Sequence, residues 1–247
     1  MKDKTPARRS ATDHKTSVKP LSPEEFAKEV VAALAPVADP ALRAGMRAYM
    51  KNKFEFLGVK TPARRAAVAG LIRAQKNATA AGLLRCARRL WTLPEREYQY
   101  VAVDLLARHA ATLMPADLPA LFALVRKKSW WDTVDALAGV IGRVVRTACA
   151  DDPAEQCSMD EALSSDDLWI RRVAIIHQLG WRHQTDAKRL FSYASTCAHE
   201  KDFFIRKAIG WALRDYARHA PTEVRVFLRT NRSVLSPLTL REAGKHL

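Results

Sequence analysis

The stretch Lys127-Lys128-Ser129-Trp130-Trp131-Asp132-Thr133-Val134-Asp135 sets two acids and two indoles directly after a basic pair. If it opens a helix, Ser129 and Asp132 have the spacing of a capping arrangement, with Ser129 as N-cap and Asp132 near the positive end of the helix dipole. Asp132 then serves structure. Asp135 lies four residues after Trp131, so its carboxylate and the indole share one helix face. Such an acid forms either an ordinary ion pair with one of the many arginines or a functional carboxylate. A second aromatic and charged pair favours the functional reading: Trp211, with Arg214 three residues on, follows Phe204-Ile-Arg-Lys-Ala-Ile-Gly in a similar apolar helix. A carboxylate that meets positive charge, two indole faces that attract cations and Arg172 could then converge on one site.

Repeated helices would bring them together. Four segments start with an aromatic residue and continue as an apolar helix, at Tyr98, Trp131, Trp169 and Phe204, with starts 33, 38 and 35 residues apart. That period fits helix-pair repeats of the HEAT or armadillo kind, in which each hairpin buries its apolar face only against its neighbours. Equivalent helices line the concave side of such a solenoid. Three residues into each segment stand Val101, Val134, Arg172 and Lys207, and four residues in stand Ala102, Asp135, Val173 and Ala208, so Asp135 is the lone acid among apolar and basic positions. Ala, Leu, Arg and Glu dominate, strand-like alternation is scarce, and only nine glycines punctuate the chain. The expected fold is all-α, a right-handed α-solenoid.

The 247 residues, 48% hydrophobic, suffice for one continuous core. Lys and Arg outnumber Asp and Glu by 41 to 26, a net charge of +15, which points to a polyanion and above all to nucleic acid. Residues 1 to 20 carry six of those cations against two acids and few apolar residues, and read as a disordered basic arm. The body, residues 21 to 247, reads as one domain and keeps a charge of +11. Cys86, Cys149, Cys157 and Cys197 form no C-x-x-C pair and read as reduced core thiols, as in a cytoplasmic protein. No apolar run is long enough for a membrane span, and the seven histidines fall at no metal-binding spacing. Dinucleotide, phosphate-loop, zincin and hydrolase-elbow motifs are missing. Neither metal nor cofactor is expected, and a solenoid that buries its core within one chain reads as a monomer.

The sequence resembles the AlkD-like family of DNA alkylation repair proteins, HEAT-like-repeat glycosylases for 3- and 7-alkylated purines. The likeness rests on Tyr49-Met-Lys-Asn-Lys-Phe-Glu-Phe-Leu-Gly-Val-Lys-Thr-Pro-Ala-Arg-Arg, Leu93-Pro-Glu-Arg-Glu-Tyr, Lys128-Ser-Trp-Trp-Asp-Thr-Val-Asp, Trp169-Ile-Arg-Arg-Val-Ala-Ile, Phe203-Phe-Ile-Arg-Lys-Ala-Ile-Gly-Trp-Ala-Leu-Arg-Asp-Tyr and Leu238-Thr-Leu-Arg-Glu-Ala-Gly-Lys-His. These blocks run in order from about residue 40 to residue 247. The resemblance implies a DNA glycosylase acting in base excision repair on duplex DNA. By it the catalytic aspartate falls on Asp135, the two lesion-flanking tryptophans on Trp131 and Trp211, and the DNA-gripping arginine on Arg172. It also implies that lesions are handled without full base flipping. Tyr49 joins the site or packs beside it. Further backbone contacts are expected from among Arg64, Arg65, Lys127, Lys128, Arg143, Arg146, Arg171, Arg206, Lys207 and Arg214. The basic arm departs from the family pattern.

Two other readings compete. One is a non-catalytic solenoid of the same superfamily that binds unusual DNA structures, which loss of the aspartate or tryptophans would signal. The other is a scaffold whose basic groove holds an acidic protein, which leaves the Trp131/Asp135 and Trp211/Arg214 pairs unexplained.

Overall fold

The computed structural model describes residues 19–150 and 152–247, and most of the expected basic arm therefore lies outside the described residues. Among the described residues the regular elements are helices, joined by one isolated bridge between Glu55 and Glu95. They are α1 (Pro23–Leu34), α2 (Pro40–Tyr49), α3 (Thr61–Ala74), α4 (Ala80–Trp91), α5 (Arg96–Arg108), α6 (Leu118–Val125), α7 (Trp131–Cys149), α8 (Cys157–Leu163), α9 (Leu168–Ile176), α10 (Ala187–Thr196), α11 (Phe203–Ala217), α12 (Pro221–Thr230) and α13 (Pro237–Ala243). The architecture is an α-solenoid.

Local sequence sets where the helices begin. Ser22 and Glu25 form a reciprocal capping box around Pro23, the start read from the sequence. Asp167 accepts from the amides of Trp169 and Ile170, and Asp202 from those of Phe204 and Ile205, which fixes the first turns of α9 and α11. The start of α7 differs from expectation. Its N-cap is Trp130, without a side-chain cap, while the Ser129 hydroxyl donates back to the Val125 carbonyl at the end of α6. Asp132 is structural through another route: its carboxylate takes the Arg96 guanidinium at 2.6 and 2.9 Å and the Tyr100 hydroxyl at 2.6 Å, both from α5.

The helices that begin at the four repeated aromatic segments are α5, α7, α9 and α11, and they pack one against the next. The row extends at both ends, to α3 and α13, and α1, α4, α6, α8, α10 and α12 back it. One core cluster runs from Phe26 to Ala243. Cys86 and Cys197 are buried in it, where desolvation pushes both thiols up to about 11 and leaves them unreactive. Cys149 is only half-buried and Cys157 is exposed, so the expectation of four core thiols fails for those two.

Neighbouring inner helices approach closely where a glycine permits it. A Cβ on Gly142 of α7 would stand 1.9 Å from the His177 carbonyl oxygen at the end of α9, whereas one on Gly139, a turn earlier, meets nothing within 4 Å. The two positions should therefore respond to alanine with opposite signs. Gly142→Ala is expected to cost about 1–3 kcal/mol in urea unfolding, because backbone must move. Gly139→Ala is expected to gain up to about 1 kcal/mol from helix propensity. Equal stability of the two variants would show that the junction tolerates a wider spacing.

Candidate functional site

The end of α2 and the inner faces of α7, α9 and α11 enclose a cleft of about 370 Å³, lined by Tyr49, Trp131, Arg172, Phe203, Phe204, Lys207 and Trp211. Repeat geometry places these side chains: Trp131 opens α7, Arg172 lies five residues into α9, and Phe203 opens α11 with Trp211 two turns on. Tyr49 lines the cleft and is not part of the buried core. It is 69% exposed, and its ring meets Trp131 edge-on at 5.9 Å with the planes 82° apart. Behind the cleft Trp130, Trp169 and Phe204 interlock as an aromatic support, with centroids 4.9 to 5.6 Å apart.

Asp135 and Arg172 meet as a bidentate pair. The guanidinium donates from Nε to Oδ1 at 2.7 Å and from Nη2 to Oδ2 at 2.8 Å, and from Nη1 to the Phe204 carbonyl. Arg172 is 1% exposed, and its Cζ lies 5.2 Å from the Trp211 ring. The arginine expected to grip DNA is therefore buried against the carboxylate, with three of its five N–H donors taken by Asp135 and the Phe204 carbonyl. The Asp135 side chain keeps 21% of its surface open. Burial raises its carboxyl above the ordinary aspartate range, and Arg172 works against that rise.

The other basic candidates separate by place. Lys207 lines the cleft, its Nζ 5.8 Å from the Trp211 ring and 6.0 Å from that of Phe203. Arg214 lies on the same helix and donates to Glu242 at 3.1 Å. Lys127 and Lys128 lie away from the cleft, beside Trp91 at the end of α4, and the Lys128 ammonium is held by the Leu93 carbonyl. Arg171 binds the carbonyls of Ser165 and Asp166 and pairs with Glu200 at 3.1 Å, which turns it away from the cleft lining. Arg206 donates to the Glu200 carbonyl. Arg64 and Arg65 both pair with Asp104 of α5, in a shallower depression on the other side of Trp131.

Two positions at or behind the cleft escaped the sequence reading although both lie inside quoted motifs. Phe203 is 54% exposed at the mouth of the cleft. Glu242 of α13 is 3% exposed and accepts from Lys207, Trp211, Arg214 and Lys245. Both would have surfaced had side chains been compared one repeat length apart. Among the described residues no three His, Cys, Asp or Glu side chains group as metal ligands, and no helix is long and apolar enough to cross a membrane.

A family model described as DNA alkylation repair enzyme matches residues 30–247. None of the curated proteins matches the chain. Among solved structures, the chain is similar to a predicted DNA alkylation repair enzyme from Enterococcus faecalis, at 33% identity over 85% of this chain and 96% of that one, with a TM-score of 0.79. It is also similar in fold to smu.31 from Streptococcus mutans UA159, at 16% identity over 90% of this chain and 99% of that one, with a TM-score of 0.59. The row of inner helices, the aromatic cleft with its carboxylate and the match along the length of the chain agree, and the chain belongs to the DNA alkylation repair enzyme family.

Proposed function

We propose that this protein is a DNA glycosylase that releases cationic N3- and N7-alkylated purines from duplex DNA in base excision repair. The observation that carries the reading is a partly open carboxylate, Asp135, bonded to the arginine that lines a cleft walled by Tyr49, Trp131, Phe203, Phe204 and Trp211. A purine alkylated at N3 or N7 already carries positive charge, and it departs as a neutral base without a proton from the enzyme. The site needs no strong acid. As the glycosidic bond breaks, positive charge passes to the deoxyribose, and a fixed carboxylate stabilises that state more than the ground state. Each Asp135 oxygen accepts one N–H from Arg172, which leaves a second lone pair on each for the sugar cation or the attacking water. The indoles of Trp131 and Trp211 offer electron-rich faces to the cationic nucleotide, worth about 0.5–2 kcal/mol each.

DNA itself is held by charge. The chain's surplus of cations favours the phosphate backbone, and Lys127, Lys128, Arg171, Lys207 and Arg214 remain the proposed contacts, with Lys207 nearest the cleft. Arg172 takes a phosphate in this reading at the expense of part of its grip on Asp135, and so couples docking to exposure of the carboxylate.

Single-turnover release of 7-methylguanine and 3-methyladenine from methylated duplex is the direct test. Asp135→Asn is expected to slow release about 100-fold or more while binding to undamaged duplex is kept, since it removes transition-state stabilisation without removing a phosphate contact. Tight binding by the wild type with no base released would move the protein to the non-catalytic DNA-binding reading.

The same reaction should depend on pH in one direction. Asp135 acts as the carboxylate, so release falls as pH drops through its pKa, and burial places that fall above the ordinary aspartate value of 3.8. A rate profile corrected for spontaneous depurination, and compared with that of Asp135→Asn, measures it. A wild-type profile without an acid limb would remove Asp135 from the rate-limiting step.

A further inference from the structure

Glu242 lies on α13, outside the cleft lining, yet it holds three charged partners where Asp135 holds one. Its Oε1 accepts from Lys207 Nζ at 2.9 Å, its Oε2 from Trp211 Nε1 at 3.2 Å and from Arg214 Nη1 at 3.1 Å, and Lys245 reaches both oxygens at 2.9 and 3.0 Å. Four donors thus converge on a side chain that is 4% exposed. Burial works to raise this carboxyl, but the hydrogen bonds from Lys207 and Lys245 outweigh it and hold it down to about 2, so it is an anion at any working pH.

The approach of α13 is built for this contact. A Cβ on Gly210, the residue before Trp211, would stand 2.5 Å from the Glu242 Cβ and 3.1 Å from the Thr239 carbonyl oxygen. Only glycine lets α13 come close enough for the carboxylate to reach the indole nitrogen.

Two cations already lie within 6 Å of the Trp211 ring, Arg172 at 5.2 Å and Lys207 at 5.8 Å. Arg172 is matched by Asp135. No acid lines the cleft beside Lys207, and its acid among the described residues is Glu242, which it shares with Arg214 and Lys245. Without that anion the lysine would meet a cationic base with an uncompensated like charge, and the indole would lose the bond that sets its plane.

We propose that Glu242 is a positioning residue of the excision site, which fixes the Trp211 indole and, shared among Lys207, Arg214 and Lys245, lowers the positive charge beside the aromatic wall so that it accepts a positively charged base. The inference rests on the glycosylase reading and deepens it. Glu242 touches no substrate and acts through Trp211 and Lys207. Its prediction concerns charge discrimination and not stability alone, since any substitution of a buried anion with four donors also lowers stability.

The experiment measures binding to two duplexes that are not cleaved, one with 2′-fluoro-7-methylguanosine, which is cationic, and one with 2′-fluoroguanosine at the same position. Release of 7-methylguanine is measured alongside. The wild type is the control for the reading beneath: if it neither releases 7-methylguanine nor prefers the cationic duplex, the glycosylase proposal fails first. Where it does both, Glu242→Gln is expected to reduce the preference for the cationic duplex and the release rate by about tenfold, with binding to the neutral duplex unchanged or tighter.

Lys207→Met in the Glu242→Gln background is expected to restore part of the preference, because it removes the unmatched charge. Gly210→Ala, which alters no charge, is expected to slow release by displacing α13 from Trp211. A folded Glu242→Gln protein that keeps the wild-type preference and rate would overturn the proposal, as would a loss of binding that is equal for both duplexes and not relieved by Lys207→Met.

Discussion

Charge pairs across the junctions between inner helices are what the rest of this structure depends on. Arg64 of α3 pairs with Asp104 of α5, Arg96 of α5 with Asp132 of α7, Asp135 of α7 with Arg172 of α9, and Lys207 and Arg214 of α11 with Glu242 of α13. The α9 to α11 junction is bridged by Arg172 as well, through the Phe204 carbonyl. A buried ion pair is weak evidence of net stability, because desolvation offsets much of its attraction, but removing one partner is costly. What such pairs supply is registry. Apolar faces of stacked helices can slide by a side chain at little cost, and a bidentate guanidinium cannot. These contacts tie α7, α9 and α11, which carry most of the cleft lining, in one register.

These acids differ in exposure. The Asp132 carboxylate is 5% exposed and saturated by Arg96 and Tyr100, and Glu242 is 4% exposed and saturated by its donors. Asp104 keeps 18% and Asp135 keeps 21%, and of these two it is Asp135 whose arginine lines the aromatic cleft. The same structural device therefore appears several times along the solenoid, twice with a partly open acid and once beside the rings. Exposure alone does not single out Asp135; exposure together with the aromatic cleft does.

The inner helices were legible in the sequence because each announces itself within one segment: an aromatic start, an apolar run and a spacing near the repeat length. The resemblance gave the cleft residues because they lie in contiguous blocks. The pairings were not legible. Arg96 to Asp132 spans 36 residues, Asp135 to Arg172 spans 37, Arg64 to Asp104 spans 40 and Lys207 to Glu242 spans 35. Those separations are close to the repeat length, so a cation and an acid one repeat apart were the signal, hidden among the many other charges of the chain. Local rules misled at Ser129 for the same reason. The capping spacing was present, but Asp132 was already claimed by an arginine from the preceding repeat, and the serine turned back to α6.

On the proposed reading, a protein with a charge of +15 that recognises a cationic base faces opposed demands, since the field that gathers phosphates repels the lesion. The structure separates them in space. Beside the cleft Arg172 has Asp135 as its acid and Lys207 shares Glu242, and both are largely buried, while Arg65, paired with Asp104 in the neighbouring depression, is 65% exposed. Within the cleft the exposed surfaces are then mostly rings, whose faces attract a cation without a compensating anion that would have to be desolvated. An acidic cleft would bind the cation more strongly in the ground state and would repel the flanking phosphates. Rings and one paired carboxylate avoid both costs, and they reserve the strongest electrostatic contact for the moment when charge moves from the base to the sugar.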